Sequence, residues 1–252
     1  MKFRDSFYPL ASTVTVLVIW EAIVHLFDVS GYILPAPSDV VVALIKDFDV
    51  LMGHTGYTLV EAFLGFAGAI ILAYALAILM DSFIVVKKSL YPLLIISQTV
   101  PTIALAPIVM IWFGFGIFPK VLLIIIVCFF PIAVSLIDGF EKVDRDYLNL
   151  FKTMKASRFQ TLVHLKLPYA MVNFFSGLKI AATYMIMTAV ISEWQGGLKG
   201  IGVYMVRAKS AYALDKMFAS IVIIVLLSII IIYAIDVVAK RVTKWNRGEQ
   251  ND

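Results

Sequence analysis

Apolar residues run almost unbroken along this chain, and polar residues gather in short clusters between the runs. About 20 apolar residues carry a helix across a bilayer, and six stretches reach that length: roughly 8–27, 57–80, 90–113, 118–140, 169–194 and 217–239. The pattern predicts an all-α polytopic membrane protein with six transmembrane helices, built as a single domain over 1–252. The interval 144–168 stands out from the rest. Here basic and polar positions alternate with Leu148, Phe151, Met154, Phe159, Leu162 and Leu165. That spacing predicts two short amphipathic helices on either side of Ala156-Ser157, with Ser157 capping the second. Of all the polar intervals, this one has the polarity of a protein-binding surface.

Between the first two runs, Leu34-Pro35-Ala36-Pro37 leads to Ser38, read as the N-cap of a short helix whose apolar positions Val40, Val41, Leu44 and Ile45 recur at helical spacing. That helix is expected along the outer membrane interface. In the third run Pro92, Pro101 and Pro107 each remove a backbone donor that lipid cannot replace. This run is therefore expected to face neighbours or a cavity, which makes it a candidate pathway helix. Phe113-Gly114-Phe115-Gly116, followed by Pro119, predicts a tight hairpin into the fourth run.

Hydrophobic residues make up 62% of the chain and mean hydropathy is +0.95, which excludes an ordinary soluble domain. A net charge of +4 and a pI near 9.0 do not indicate nucleic acid, because the cations sit at the ends of apolar runs. With a cytoplasmic N-terminus, fourteen Lys and Arg, from Lys2 and Arg4 to Lys244 and Arg247, fall inside. Six fall outside (Lys46, Lys120, Lys199, Arg207, Lys209 and Lys216), so both termini are expected in the cytoplasm. The first run lacks a cleavage site before Asp28 and reads as a retained span. The lone Cys128 sits in an apolar run and builds no disulfide, zinc or redox motif.

No catalytic constellation is legible. His25, His54 and His164 are scattered without metal-ligand spacing, and no Ser-His-Asp, paired-carboxylate or ATP-binding motif appears. The glycine-rich Gly196–Gly202 segment lacks the strand and helix that a phosphate site needs. No metal and no cofactor are expected. Several polar groups fall within or at the ends of apolar runs. Gln98 needs a partner in lipid and lies beside Pro101. Glu193 and Trp194 close the fifth run, either as interfacial groups or as part of a gate. Lys179 either snorkels to the interface or joins the path, and Glu21 and Glu61 call for burial against a partner span or nearness to the interface.

Leu165-Lys166-Leu167-Pro168 and the residues before it resemble the cytoplasmic loop of the binding-protein-dependent ABC transporter permeases. That family's pattern is Glu-Ala-Ala, three residues, Gly, nine residues, Ile-x-Leu-Pro. Here Asn149 stands for the Glu, Leu150 and Phe151 for the alanines, and Lys155 for the Gly, followed by Ala156-Ser157-Arg158-Phe159-Gln160-Thr161. A non-glycine residue in a left-handed turn costs about 1 kcal/mol or more, so either the turn is built differently or the two helices are nearly continuous. Leu34-Pro35-Ala36-Pro37-Ser38, Pro101 to Pro107, Trp112 to Gly116 and Phe129-Phe130-Pro131 are similar to the nitrate, sulfonate, taurine and thiamine-precursor branch of these permeases. Ser97 to Pro101 and Ser192 to Gly197 look most similar to permeases for hydroxymethylpyrimidine-type precursors, with riboflavin-type permeases nearby.

The resemblance implies half of a transmembrane dimer with a second permease copy, multi-pass in a bacterial plasma membrane. It would import a small polar solute delivered by an extracytoplasmic solute-binding protein. ATP would be bound by a separate cytoplasmic ATP-binding subunit, gripped through Asn149, Leu150, Phe151, Met154, Lys155, Ala156, Ser157 and Pro168. Gln98, Pro101, Glu193 and Trp194 would line the translocation path. An ion-coupled secondary transporter is the rival, and would need membrane carboxylates facing a cavity and internal symmetry. A membrane-embedded enzyme, a third reading, would need the catalytic constellation this chain lacks.

Overall fold

The computed structural model describes residues 3–244, which are helical and contain no strand; Lys2 and Arg247, counted above, lie outside the described residues. The helices are α1 Phe3–Leu26, α2 Pro37–Lys46, α3 Phe48–Ser82, α4 Ile84–Ser97, α5 Thr102–Phe113 and α6 Ile117–Glu141. They continue as α7 Arg145–Thr153, α8 Arg158–Thr161, a π-turn Leu162–Lys166, α9 Leu167–Trp194, α10 Ile201–Ser210 and α11 Leu214–Val242.

The core is α6 packed along both α3 and α9, with α11 also packed against α9. Lipid tails offer no hydrophobic drive between helices, so association depends on close approach, and small residues provide it. Ala62, Ala69, Ala73 and Ala77 form a fully buried stripe on α3, answered by Ala133 on α6 and Ala170, Ala181, Ala182 and Ala189 on α9. A side chain at Gly177 would begin 2.5 Å from the Pro131 carbonyl oxygen, so α6 and α9 touch there backbone to backbone. By contrast α1 lies at the edge, with most of its large side chains exposed.

Five described helices are long and apolar enough to span a membrane, and α4 with α5 makes a sixth only as a bent pair. The straight third span expected over 90–113 is therefore corrected: the chain turns by 103° between Ser97 and Thr102. Pro101 is the cause. It has no N–H to continue the ladder and disfavours helical backbone at Val100, and it becomes the N-cap of α5 with extended backbone (ψ 124°). Pro92 and Pro107 are carried inside α4 and α5.

Three further boundaries differ from the sequence reading. Ser38 is not the cap of the loop helix: α2 starts at Pro37, and the Asp39 carboxylate accepts from the Ala36 N–H at 3.2 Å. Ser38 instead donates its N–H and hydroxyl to Glu21, at 3.0 and 2.7 Å, tying the loop to α1. The second span begins earlier than position 57, because α3 starts at Phe48. Finally, the second amphipathic helix has no end of its own, since α8, the π-turn and α9 form one element of 37 residues. Pro168 accounts for the π-turn: without an N–H it cannot donate to the carbonyl one turn back, and the ladder widens to accommodate it.

Candidate functional site

At one end of the bundle, α7 ends in a Schellman turn. The Ala156 N–H donates to the Phe151 carbonyl at 3.0 Å and the Lys155 N–H to the Lys152 carbonyl at 2.9 Å. Lys155 holds the left-handed position with φ of 56°. Of the two possibilities left open by the sequence, the chain adopts the turn and the helices are not continuous. Lys155→Gly is accordingly expected to raise stability by up to about 1 kcal/mol, read as a higher unfolding midpoint in detergent. A lower midpoint would contradict this geometry.

Ser157 then starts the next helix through a capping box: its Oγ accepts from the Gln160 N–H at 3.2 Å and the Gln160 Oε1 accepts from the Ser157 N–H at 2.8 Å. On this frame Tyr147, Leu150, Met154 and Phe159 are exposed apolar side chains on an otherwise polar surface. Phe151 is only half-exposed, so the apolar knobs are Leu150 and Met154, with Tyr147 beside them. Asn149 is exposed and gives its carbonyl to the Thr153 hydroxyl at 3.0 Å. Next to this surface lies a cavity of about 950 Å³ lined by Asp81, Phe83, Val86, Leu148, Lys152 and Arg158 among others. Lys166 closes its floor on Asp81 at 2.7 and 2.9 Å, and Lys87 pairs with Glu141.

Midway along the bundle the break between α4 and α5 opens a second cavity of about 270 Å³. Gln98 and Pro101 both line it, with Phe130 from α6 and Tyr184 and Met187 from α9. Glu193 does not join them. It is 1% exposed, accepts from the Thr58 hydroxyl at 2.7 Å and from the Gly202 N–H at 2.6 Å, and ties α9 to α3 and α10. Thr58 Oγ1 also accepts from the Ile201 N–H at 2.8 Å, and His54 Nδ1 from the Gly200 N–H at 3.1 Å. Gly200 has φ of 119°, and any side chain there would overlap the Glu193 carboxylate. Glu193 thus packs a joint where sequence reading had placed it on the path with Gln98, and Trp194 beside it is partly exposed.

The same joint contains a pair that sequence reasoning missed. Lys120, one of the six cations expected on the outer side, is 4% exposed and donates to Glu61 at 2.7 Å. The available signal was Glu61 itself, an acid in an apolar run that needed a cation, with Lys120 one turn into the fourth run. Lys179 pairs with Asp236 on α11. Among the described residues no group of His, Cys, Asp and Glu is placed to hold a metal ion.

Comparison with known proteins identifies the architecture. The sequence model for the family described as binding-protein-dependent transport system inner membrane component matches residues 65–244. A formylaminopyrimidine transport permease protein, ThiX, from Halalkalibacterium halodurans is 34% identical over 242 residues, covering 96% of each chain. A probable ABC transporter permease protein from Haemophilus influenzae is 32% identical over 228 residues, covering 90% of this chain and 93% of its own. The fold is also that of a chain in the inward-facing MetNI methionine ABC transporter, with a TM-score of 0.66 at 16% identity over 77% of this chain and 96% of that one.

Proposed function

We propose a transport cycle for a chain that belongs to the family of binding-protein-dependent transport system inner membrane components, and that is the permease subunit of an ABC importer. It is a multi-pass inner-membrane protein of a family that works with an ATP-binding subunit and a solute-binding protein. In our reading two copies form the pathway, the α7 end faces the cytoplasm, and the ATP-binding subunit docks on Tyr147, Leu150 and Met154, with Asn149 and Lys155 to Ser157 framing the contact. ATP is bound and hydrolysed there, outside this chain.

The observation that carries the mechanism is the unbroken element from the Ser157 cap through the π-turn and Pro168 to Trp194. Force applied beside the Schellman turn enters a helix that itself contributes Tyr184 and Met187 to the cavity at the broken span. Closure of the nucleotide-bound ATPase would move that helix as a rigid body and switch the cavity between the two sides. An ion-coupled scheme finds less support: Glu61 is held by Lys120 and Glu21 by Ser38, so neither carboxylate faces this cavity.

For the solute, the 34% identity to a formylaminopyrimidine permease over nearly the whole chain supports a thiamine precursor of the pyrimidine type. Proteoliposomes containing permease, ATPase and binding protein should accumulate labelled formylaminopyrimidine when ATP is supplied, and should stop when the ATPase is omitted. Uptake that continued without the ATPase, driven by an ion gradient, would overturn the reading.

A further inference from the structure

The cavity at the broken span has no Asp, Glu, Lys, Arg or His in its lining. Its polar groups are Ser97, Gln98, Thr102 and Tyr184, set among apolar walls that include Phe130 and Met187. The Ser97 hydroxyl donates to the Leu94 carbonyl at 2.7 Å, which leaves its lone pairs for a ligand. The side chains of Gln98, Thr102 and Tyr184 make no hydrogen bond within the described residues, so donors and acceptors are both on offer. The break also brings the C-terminal end of α4 and the N-terminal end of α5 to the same place. Their opposite partial charges meet there, and no formal charge tips the balance.

We propose that this cavity binds an uncharged, planar heteroaromatic solute, edge-on to Gln98 and Thr102 and face-on to the aromatic wall, and that it discriminates against sulfonates and other small anions. An anion entering would shed its hydration without meeting a cation, which is costly in a low-dielectric site. A neutral heterocycle presents donors and acceptors at its rim and a π-face that stacks on aromatic side chains. The volume lies at the small end of ligand pockets, fitting a solute of few rings. In a two-fold dimer each copy would carry the same uncharged lining. The inference rests on the importer reading above and adds that the permease itself, besides the binding protein, selects by charge.

The test is uptake by the complete complex in proteoliposomes, with labelled formylaminopyrimidine, riboflavin and ethanesulfonate offered in turn. Gln98→Leu and Thr102→Val are each expected to lower pyrimidine uptake about three- to tenfold, the worth of one hydrogen bond. Solute affinity of the isolated binding protein and co-purification of the ATPase should stay unchanged. Full uptake in both variants would overturn the cavity assignment and leave the pyrimidine reading standing. Wild-type uptake of riboflavin in place of the pyrimidine would retain the cavity's neutral, aromatic preference and remove the thiamine-precursor assignment. Preferred uptake of ethanesulfonate would overturn both.

Discussion

Lys120→Met is expected to lower stability by about 3–5 kcal/mol, the usual cost of removing one partner from a buried ion pair. Lys120 Nζ lies 2.7 Å from Glu61 Oε1, and the two side chains are only 5% and 7% exposed. With the ammonium gone, the Glu61 carboxylate stays inside the bundle. Its other oxygen, Oε2, is already buried without a hydrogen-bond partner. Thermal unfolding in detergent should show a large fall in midpoint. Adding Glu61→Leu to Lys120→Met should recover most of the loss, because replacing the whole pair by apolar groups avoids the stranded charge. A single variant as stable as wild type would show that the pair contributes nothing to the joint between α3 and α6.

Leu150→Asp and Met154→Asp are expected to release the ATP-binding subunit while leaving the permease folded. Both side chains are exposed, at 53% and 70%, so the chain itself does not need them for its core. A buried apolar anchor in an interface is typically worth about 2 kcal/mol or more, roughly thirtyfold in affinity. Placing two carboxylates in that contact should abolish co-purification and solute-stimulated ATP hydrolysis. Phe151→Asp should behave differently, since Phe151 is half-buried and its loss is expected to reduce the folded yield as well. Undiminished co-purification of the double variant would remove α7 from the docking surface.

What the sequence revealed and what it concealed follow from the physics of each signal. Membrane spans were legible because a 20-residue apolar run is itself the cause of insertion, and α6, α9 and α11 fall close to their expected limits. The break in the third span was not, because hydropathy records depth in lipid and is blind to direction. Pro92, Pro101 and Pro107 look alike in sequence, yet only Pro101 interrupts a helix. The loop at 144–168 was visible as a charged, periodic interval, and the Ser157 cap was read correctly from local chemistry. Which side chains it exposes was less visible: rotation about α7 favours Leu150 over Phe151, a choice made by packing. The partners of Glu193 and Lys120 were hidden for the same reason. Each stands near the end of an apolar run, where a solvated group is the ordinary expectation, and each is buried by partners far away in sequence, Thr58 and Glu61 respectively.

The broken span is expected to open alternately to the two sides of the membrane under ATP control. The most direct test places a cysteine at position 98 on a Cys128→Ala background, with the complete complex in proteoliposomes. A membrane-impermeant maleimide should label Gln98→Cys in one nucleotide state and be excluded in the other. Equal labelling, or equal inertness, in both states would contradict the account.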